Sequence, residues 1–427
     1  MSQQSVRDRL VEIRRDLHRH PEPAWREFYT TARIVEELEG LGVDELHVGR
    51  DALAEDERMS VPGDDEIRAW YDDALDAGAD PDILERLEGG YTGAVAVVEQ
   101  GDGPTVALRV DIDGLLREES TDDDHVPAAE GFRSEREGAM HACGHDAHAT
   151  IGLGVIDAIA DTDFEGTLKV FFQPGEEMSA GGKPMAESEH IDDVDYLLAV
   201  HVGLDHATGE VIAGLDGFLA VSQLLAEFEG SPAHAGGQPN EGDNAIQAVT
   251  TAIQNLYAIP RHEDGATRIN AGRIGGGTAT NIIADEAFVE AEVRGETTEL
   301  MEYMKARGTR TVENAAEMHG CEVEITTDSE APSADSDDPL ADLVGDVADG
   351  NDDVENVVER ATLGGSEDAA YLMRAVQRNG GLAAYVGVGT DHPGGHHTAT
   401  FDVDEASIPL GIDVLVDAIA EIADRRP

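Results

Sequence analysis

The densest chemistry in this chain lies in Met140-His141-Ala142-Cys143-Gly144-His145-Asp146-Ala147-His148, which packs one thiol, three imidazoles and one carboxylate into nine residues. A single glycine separates Cys143 from His145, so both side chains can face one metal ion or two adjacent ones. Thiolate with imidazole suits a borderline transition ion such as Zn, Mn or Co, and not Mg or Ca. A lone Cys-x-His reads more simply as a buried cysteine beside surface histidines. Here ligand-type residues recur downstream. Phe171-Phe172-Gln173-Pro174-Gly175-Glu176-Glu177 ends an apolar run in a turn with paired carboxylates, of which one could hold a metal and the other take a proton from water. In a chain this acidic, a solvated turn is the competing reading. His201 closes the run Ala199-Val200-His201-Val202. His396 and His397 lie in a glycine-rich segment before the last helix. Asp111 and Asp113 end another run and could orient a ligand imidazole from behind.

The elements that must position these residues are legible as hydrophobic periodicity. Residues 5–40 read as one amphipathic helix or a helix pair, broken at Pro21 and Pro23. Residues 50–90 read as a polar, partly helical insertion. Gly93–Val98 and Thr105–Val110 are near-continuous apolar runs, as expected for strands buried on both faces. A helix over about 147–160, strands 167–172 and 196–200, and the helices between them imply a mainly parallel sheet. Ligands gather past the carboxyl ends of such strands. From residue 221 the pattern changes: alternating segments at 221–228, 266–274, 287–294 and 321–326, with helices at 244–258 and 298–318, predict a small α+β domain. A linker over 329–337 follows. The helix–strand pattern then resumes at 340–347, 366–374, 382–388 and 405–423. The fold class is therefore α/β in two domains. Residues 1–220 and 331–427 form a mainly parallel α/β catalytic domain, interrupted by an inserted α+β lid or dimerisation domain over 221–330.

Composition bounds the function. The chain has 427 residues with 41% hydrophobic and 4% aromatic content, and 90 acidic against 29 basic residues, a formal net charge of −61. Its lysines are Lys169, Lys183 and Lys305. Nucleic-acid binding needs a basic footprint and is excluded. The periodic apolar segments argue against disorder. The expectation is a folded, acidic, halophilic-type cytoplasmic protein stabilised by salt. Two cysteines far apart in sequence, Cys143 and Cys321, predict no disulfide. No apolar run approaches the roughly 20 residues of a membrane span.

In chain order, the motifs Arg109-Val110-Asp111-Ile112-Asp113, MHACGHDAH, QPGEE, AVHVG, Ala233-His234-Ala235-Gly236-Gly237, Gly275-Gly276-Gly277 with Asn281-Ile282-Ile283, Val293-Arg294-Gly295, Gly365-Ser366-Glu367-Asp368 and HHTATFDVDE resemble the M20 metallo-amidohydrolase family. Within it they match the branch that holds the hippurate, auxin-conjugate and aminobenzoyl-glutamate hydrolases. The insertion ending EGGYTG and the run GFLAVSQLLAEFEGSPAHAG resemble its aminobenzoyl-glutamate utilisation subgroup. The resemblance implies two divalent ions, Mn or Zn, on Cys143, His145, Glu177, His201 and His397. It implies a general base at Glu176, an oxyanion-stabilising lid histidine at His234, usually supplied across a dimer, and substrate-carboxylate contacts at Asn281 and Arg294. Two departures matter. Pro-Gly-Glu-Glu replaces Pro-Ala-Glu-Glu, a change expected to loosen the turn. His-Thr-Ala-Thr-Phe replaces His-Ser/Asn-Pro-x-Phe, which leaves the last ligand open between His396 and His397. For Arg294 an ordinary strand-end salt bridge is the alternative. The implied activity is cleavage of an N-acyl amino acid, first p-aminobenzoyl-glutamate and then hippurate or indole-acetyl conjugates. The implied assembly is a homodimer or a heterodimer with a related subunit. The reading from a different class is a non-catalytic metal-dependent binding protein on the same fold.

Overall fold

A computed structural model describes residues 3–392 and 394–427. The chain divides into two compact units. The first comprises the chain through Asp216, then Asp335–Leu363 and Asp368–Pro427. The second comprises Gly217–Ala334 and Gly364–Glu367.

The first unit is built on an eight-stranded sheet. Its order is Glu45–Val48, Ala94–Glu99, Thr167–Gln173, Thr105–Asp111, Tyr196–Val202, Leu382–Val388, Glu210–Ile212 and Asn356–Val358. The four central strands run parallel to one another, and the flanking pairs to Ala94–Glu99 and Glu210–Ile212 are antiparallel. The central strands are the continuous apolar runs. Val106, Leu108, Val110, Leu168, Val170, Leu198 and Val200 are all buried in one core with Ile151 and Val155 of the helix His145–Ile159 and Leu415 and Ile419 of Ser407–Arg425. Burying such a side chain contributes about 1.5–3 kcal/mol. The register sets Asp111 opposite Gln173 and His201 opposite Gly387. The carboxyl ends of these strands thus share one edge, where ligand sites form in open α/β sheets.

Residues 5–40 resolve into a pair, Gln3–Arg19 and Phe28–Leu41, separated at the two prolines. The second helix is buried on two sides. Ile34 and Leu38 face the main core, whereas Phe28, Ala32 and Val35 join a second cluster with Ile67, Ala74, Ile83, Leu84 and Leu87. Residues 50–90 therefore form a small core of their own around the helices Asp64–Asp76 and Pro81–Arg86.

The second unit is a four-stranded antiparallel sheet, ordered Glu322–Ala331, Ala220–Glu229, Glu286–Gly295 and Thr267–Gly276. Its strands alternate: Ala226 and Phe228 are buried, while Gln223, Glu227 and Glu229 are exposed. The buried face packs against Ala245–Tyr257 and Thr298–Met318 through Val249, Leu256, Met301, Met304 and Val312. The last strand runs further than its apolar pattern predicts. A register shift between Thr327 and Ser329 lets Ser329, Glu330 and Ala331 keep pairing with Gln223, Ser222 and Val221, so strand occupies the start of the expected 329–337 linker. The periodicity also missed Glu45–Val48, Glu210–Ile212 and Asn356–Val358, which are too short to show a pattern. Among the described residues, no helix is long and apolar enough to cross a membrane.

Candidate metal centre

The spacing of Cys143 and His145 depends on the residue between them. Gly144 has φ +88°, in the left-handed region, and a Cβ there would lie 2.6 Å from Val202 Cγ2. Only glycine meets both demands. It ends the incoming loop and starts the helix His145–Ile159, so Cys143 is left in the loop and His145 opens the first turn. Gly175, φ +68°, turns the chain out of the strand Thr167–Gln173 and presents Glu176 and Glu177. Its N–H donates to Glu27 Oε1 at 2.8 Å, and Thr92 Oγ1 holds the other oxygen at 2.6 Å. Glycine suits this conformation better than alanine, and the turn is anchored rather than loosened.

Four elements bring the donors together. Cys143, His145 and Glu177 place one donor atom each within 4.8 Å of one another, as do Cys143, His201 and His396, and Asp111, His145 and His148. Cys143 belongs to two of these sets, and its Sγ lies 3.4 Å from His201 Nε2. His397 reaches the cluster from the glycine-rich loop, with Nε2 3.3 Å from Glu177 Oε2.

Hydrogen bonds fix the ring orientations. His145 Nδ1 donates to Asp113 Oδ1 at 3.2 Å, and Asp113 Oδ2 accepts the Glu177 N–H at 3.0 Å. His145 Nε2 is buried with no hydrogen-bond partner, 3.6 Å from Asp111 Oδ1, 3.9 Å from Glu176 Oε2 and 4.0 Å from Glu177 Oε1. His201 Nδ1 donates to the Val202 carbonyl at 2.8 Å, which leaves Nε2 as the lone-pair nitrogen beside Cys143. His148 Nε2 accepts the Val202 N–H at 2.8 Å, so its proton sits on Nδ1 and is donated to Asp111. His396 Nε2 donates to the Val202 carbonyl at 3.2 Å.

The electrostatics fit a cation. Burial and then the charge of Glu177 push the Cys143 thiol well above its ordinary pKa. Burial also pushes His201 well down, helped by His148 and His396, and keeps it neutral. Burial opposes charge on Asp111, but His145 and Arg109 overcome it and hold the carboxyl well below its usual range. A divalent cation would favour the thiolate and the carboxylates that burial disfavours. The orphaned His145 Nε2, with sulfur, imidazole and carboxylate around it, matches a borderline transition ion.

A family model for peptidase family M20/M25/M40 matches residues 107–421. The chain belongs to this family. It is 39% identical to an indole-3-acetyl-aspartic acid hydrolase of Enterobacter agglomerans, covering 95% of this chain and 94% of that protein. It is 37% identical to one of the subunits of the p-aminobenzoyl-glutamate hydrolase of Escherichia coli (strain K12), covering 96% and 95%. The crystal structure of an aminobenzoyl-glutamate utilization protein from Klebsiella pneumoniae superposes with a TM-score of 0.85 at 31% identity, over 99% of this chain and 98% of the other. This M20-family chain is accordingly a metal-dependent amidohydrolase with the two-part α/β architecture of its relatives.

Of the residues singled out from the M20 motifs, the fold gathers Cys143, His145, Glu176, Glu177, His201 and His397 at one edge of the main sheet, with Asp111 and Asp113 behind them. His234, Asn281 and Arg294 lie in the second unit. There His234 pairs with Ile282, and the Ala235 N–H donates to the Asn281 carbonyl at 3.0 Å. His234 Nδ1 accepts the N–H groups of Gly236 and Gly237, both at 3.1 Å, so its proton resides on Nε2. Arg294 forks onto Glu292 of its own strand at 2.6 and 3.0 Å. Within the MHACGHDAH window, Asp146 is engaged elsewhere, 2.8 Å from both Arg14 Nε and His18 Nδ1.

Sequence reasoning gave no role to three residues that shape the site. His148 lies one turn on from His145, a spacing that puts both on one helix face. Buried Arg109 binds Asp111 at 2.6 Å, Gln173 at 2.8 Å and Asp368 at 3.3 Å. Asp368 also accepts from Gln173 and from the N–H groups of Gly181 and Gly182.

Proposed function

We propose that the protein hydrolyses the amide bond of N-acyl amino acids whose amino-acid part is acidic, with p-aminobenzoyl-glutamate as the first substrate and p-aminobenzoate and glutamate as products. The observation that carries the reading is the buried donor cluster with an orphaned His145 Nε2 and Glu176 beside it. The names of the two relatives support the substrate, since both specify an aromatic acyl group on aspartate or glutamate. Cys143, His145, Glu177, His201 and His397 are the residues that would hold two divalent ions, Mn or Zn. His397 is preferred to His396 because its Nε2 lies 3.3 Å from Glu177 Oε2, another assigned ligand. When bound, the ions supply Lewis-acid polarisation and lower the pKa of water.

Glu176 takes the proton of the water that attacks the amide carbon and returns it to the departing amine nitrogen. His234 presents its Nε2–H to the oxygen on which charge develops, a role that its tautomer supports and that would be filled across a dimer of like or related subunits. Asn281 and Arg294 are assigned to the substrate α-carboxylate, for which Arg294 exchanges Glu292.

The test is an amidase assay in about 2 M KCl, where the Debye length is only a few Å or less, on chelated protein resupplied with Mn or Zn. Hippurate and indole-acetyl-aspartate are run alongside p-aminobenzoyl-glutamate. Metal-restored cleavage with the glutamate conjugate preferred supports the reading. Cleavage of the other conjugates alone keeps the reaction and overturns the substrate. Binding without cleavage, with metal retained, favours a non-catalytic binding protein. Glu176→Gln keeps its metal and loses roughly 10²–10⁴-fold in kcat; full activity in that variant would remove Glu176 from its role.

A further inference from the structure

We propose that Glu27 is a positioning residue for the general base Glu176. The inference rests on the amidohydrolase reading and adds to it the group that fixes the base in place. Glu176 is flanked by two backbone N–H groups, and a buried carboxylate takes each one. Glu27 Oε1 accepts the Gly175 N–H at 2.8 Å, and Asp113 Oδ2 accepts the Glu177 N–H at 3.0 Å. The carbonyls of the same turn are tied locally: Gly175 accepts the Ala180 N–H at 3.0 Å and Glu176 the Ser179 N–H at 2.7 Å. Those bonds close the turn on itself. Glu27, from 148 residues away, and Asp113 fix it to the rest of the first unit.

The local structure gives Glu27 no other work. It directly precedes the helix Phe28–Leu41, where a carboxylate ordinarily serves the free N–H groups of the first turn. Its side chain makes no such capping bond. Glu22 does so instead, accepting the Tyr29 and Thr30 N–H groups at 3.0 and 2.9 Å. The Glu27 carboxylate is thereby released to reach Gly175. It is fully buried, and its second oxygen accepts the Thr92 O–H at 2.6 Å. The next residue, Gly93, donates its N–H to Thr31 Oγ1 at 3.0 Å, so Thr92 is itself held against the helix. The surroundings of the turn leave no slack. A Cβ at Gly93 would lie 2.6 Å from Pro174 Cδ, and one at Gly181 would lie 1.6 Å from the Pro174 carbonyl oxygen. A shift at Gly175 therefore passes to Glu176, the adjacent residue. A base must sit within hydrogen-bond reach of the proton it takes, and a misplacement on the order of 1 Å costs up to about 10²-fold in rate. The assigned metal ligands are anchored separately: Glu177 keeps Asp113, and Cys143, His145, His201 and His397 lie on other segments.

The experiment measures kcat and KM on p-aminobenzoyl-glutamate for metal-restored wild type, Glu27→Ala, Glu27→Gln and Thr92→Val. Bound metal and amide hydrogen exchange of the peptide spanning 174–179 are read on the same samples. Glu27→Ala should lose roughly 10- to 100-fold in kcat, while KM and metal content change by less than about 2-fold. Exchange should quicken in that peptide and stay unchanged in the central strands. Glutamine keeps an oxygen for the Gly175 N–H, so Glu27→Gln should recover most of the loss. Thr92→Val loosens the carboxylate without removing it and should fall between. If Glu27→Ala does not fold, Thr92→Val decides: a lower kcat with faster local exchange and full metal supports the proposal, and wild-type kcat overturns it. A kcat loss that follows metal loss, or exchange that rises along the whole chain, would make Glu27 a structural residue and overturn the proposal. So would faster local exchange at unchanged kcat, or a Glu27→Gln as impaired as Glu27→Ala. If folded, metal-loaded wild type cleaves no N-acyl amino acid, the amidohydrolase reading itself fails and the role of Glu27 falls with it.

Discussion

At the scale of the residue, the site is governed by which nitrogen each imidazole leaves free. Asp113 takes the Nδ1 proton of His145 and, through its other oxygen, the N–H of Glu177. One carboxylate therefore orients two of the assigned ligands. Removing such a support lowers metal affinity roughly 10–100-fold in comparable sites. Asp113→Ala should show a loss of that order in a chelator-competition titration while the far-UV spectrum stays unchanged. Unaltered metal affinity would mean that packing alone orients His145. These donor types were readable from sequence. Their tautomers were not, because each is set by a partner such as Val202 N–H or the Val202 carbonyl that only the folded chain supplies.

At the scale of the element, the decisive features are where strands stop and how sharply the chain turns. The long apolar strands and the helices 298–318 and 245–257 followed from periodicity, since burial on one or both faces writes a period into the sequence. The two-to-four-residue strands left no such record, and the extension of the last strand to Ala331 depends on a register shift with its neighbour. Gly144 is the turn with the clearest consequence. A side chain there meets both a left-handed φ and Val202 Cγ2 at 2.6 Å. Gly144→Ala should destabilise the first unit by about 1–3 kcal/mol. A denaturant melt should show the lower midpoint, and metal content should fall because Cys143 and His145 are moved apart. An unchanged midpoint would show that the loop has room to relax.

At the scale of the whole molecule, charge dominates. The net charge of −61 is carried partly as like-charge rows: Glu229 lies opposite Glu322 on one neighbouring strand and Glu286 on the other. Directly opposed like charges are destabilising, and salt screens them. The melting temperature should therefore rise steadily from dilute buffer to molar KCl; indifference to salt would contradict an acidic surface adapted to ionic strength. The response to pH has a defined sign. His18 is buried between Asp146 and Glu119, and although burial and Arg14 lower its pKa, those carboxylates raise it from 6.5 to about 9. Burial raises Glu27 from 4.5 to about 8, reinforced by the charge of Asp113. Both groups bind protons more tightly in the folded state. His18 stabilises fully below pH 6.5 and loses that contribution as pH rises through about 9. Glu27 follows the same direction from 4.5 to about 8. Melting temperatures in constant high salt should fall between pH 6.5 and 9, and His18→Gln should flatten that slope. A slope identical in the variant would remove His18 as its source.

By itself the sequence determined the donor types, their order, the glycine between Cys143 and His145, the apolar runs that become the central strands, and the acidity of the surface. These are properties of residue type and local spacing. The tertiary structure decided the pairings. His145 meets Asp113 from 32 residues away, and Arg109 meets Asp368 from 259 residues away. Those distances close because the strand Thr105–Asp111 lies between Thr167–Gln173 and Tyr196–Val202, an order that the chain sequence does not follow. The fold also paired Arg294 with Glu292 of its own strand, since only packing chooses which of many carboxylates comes within reach of an arginine.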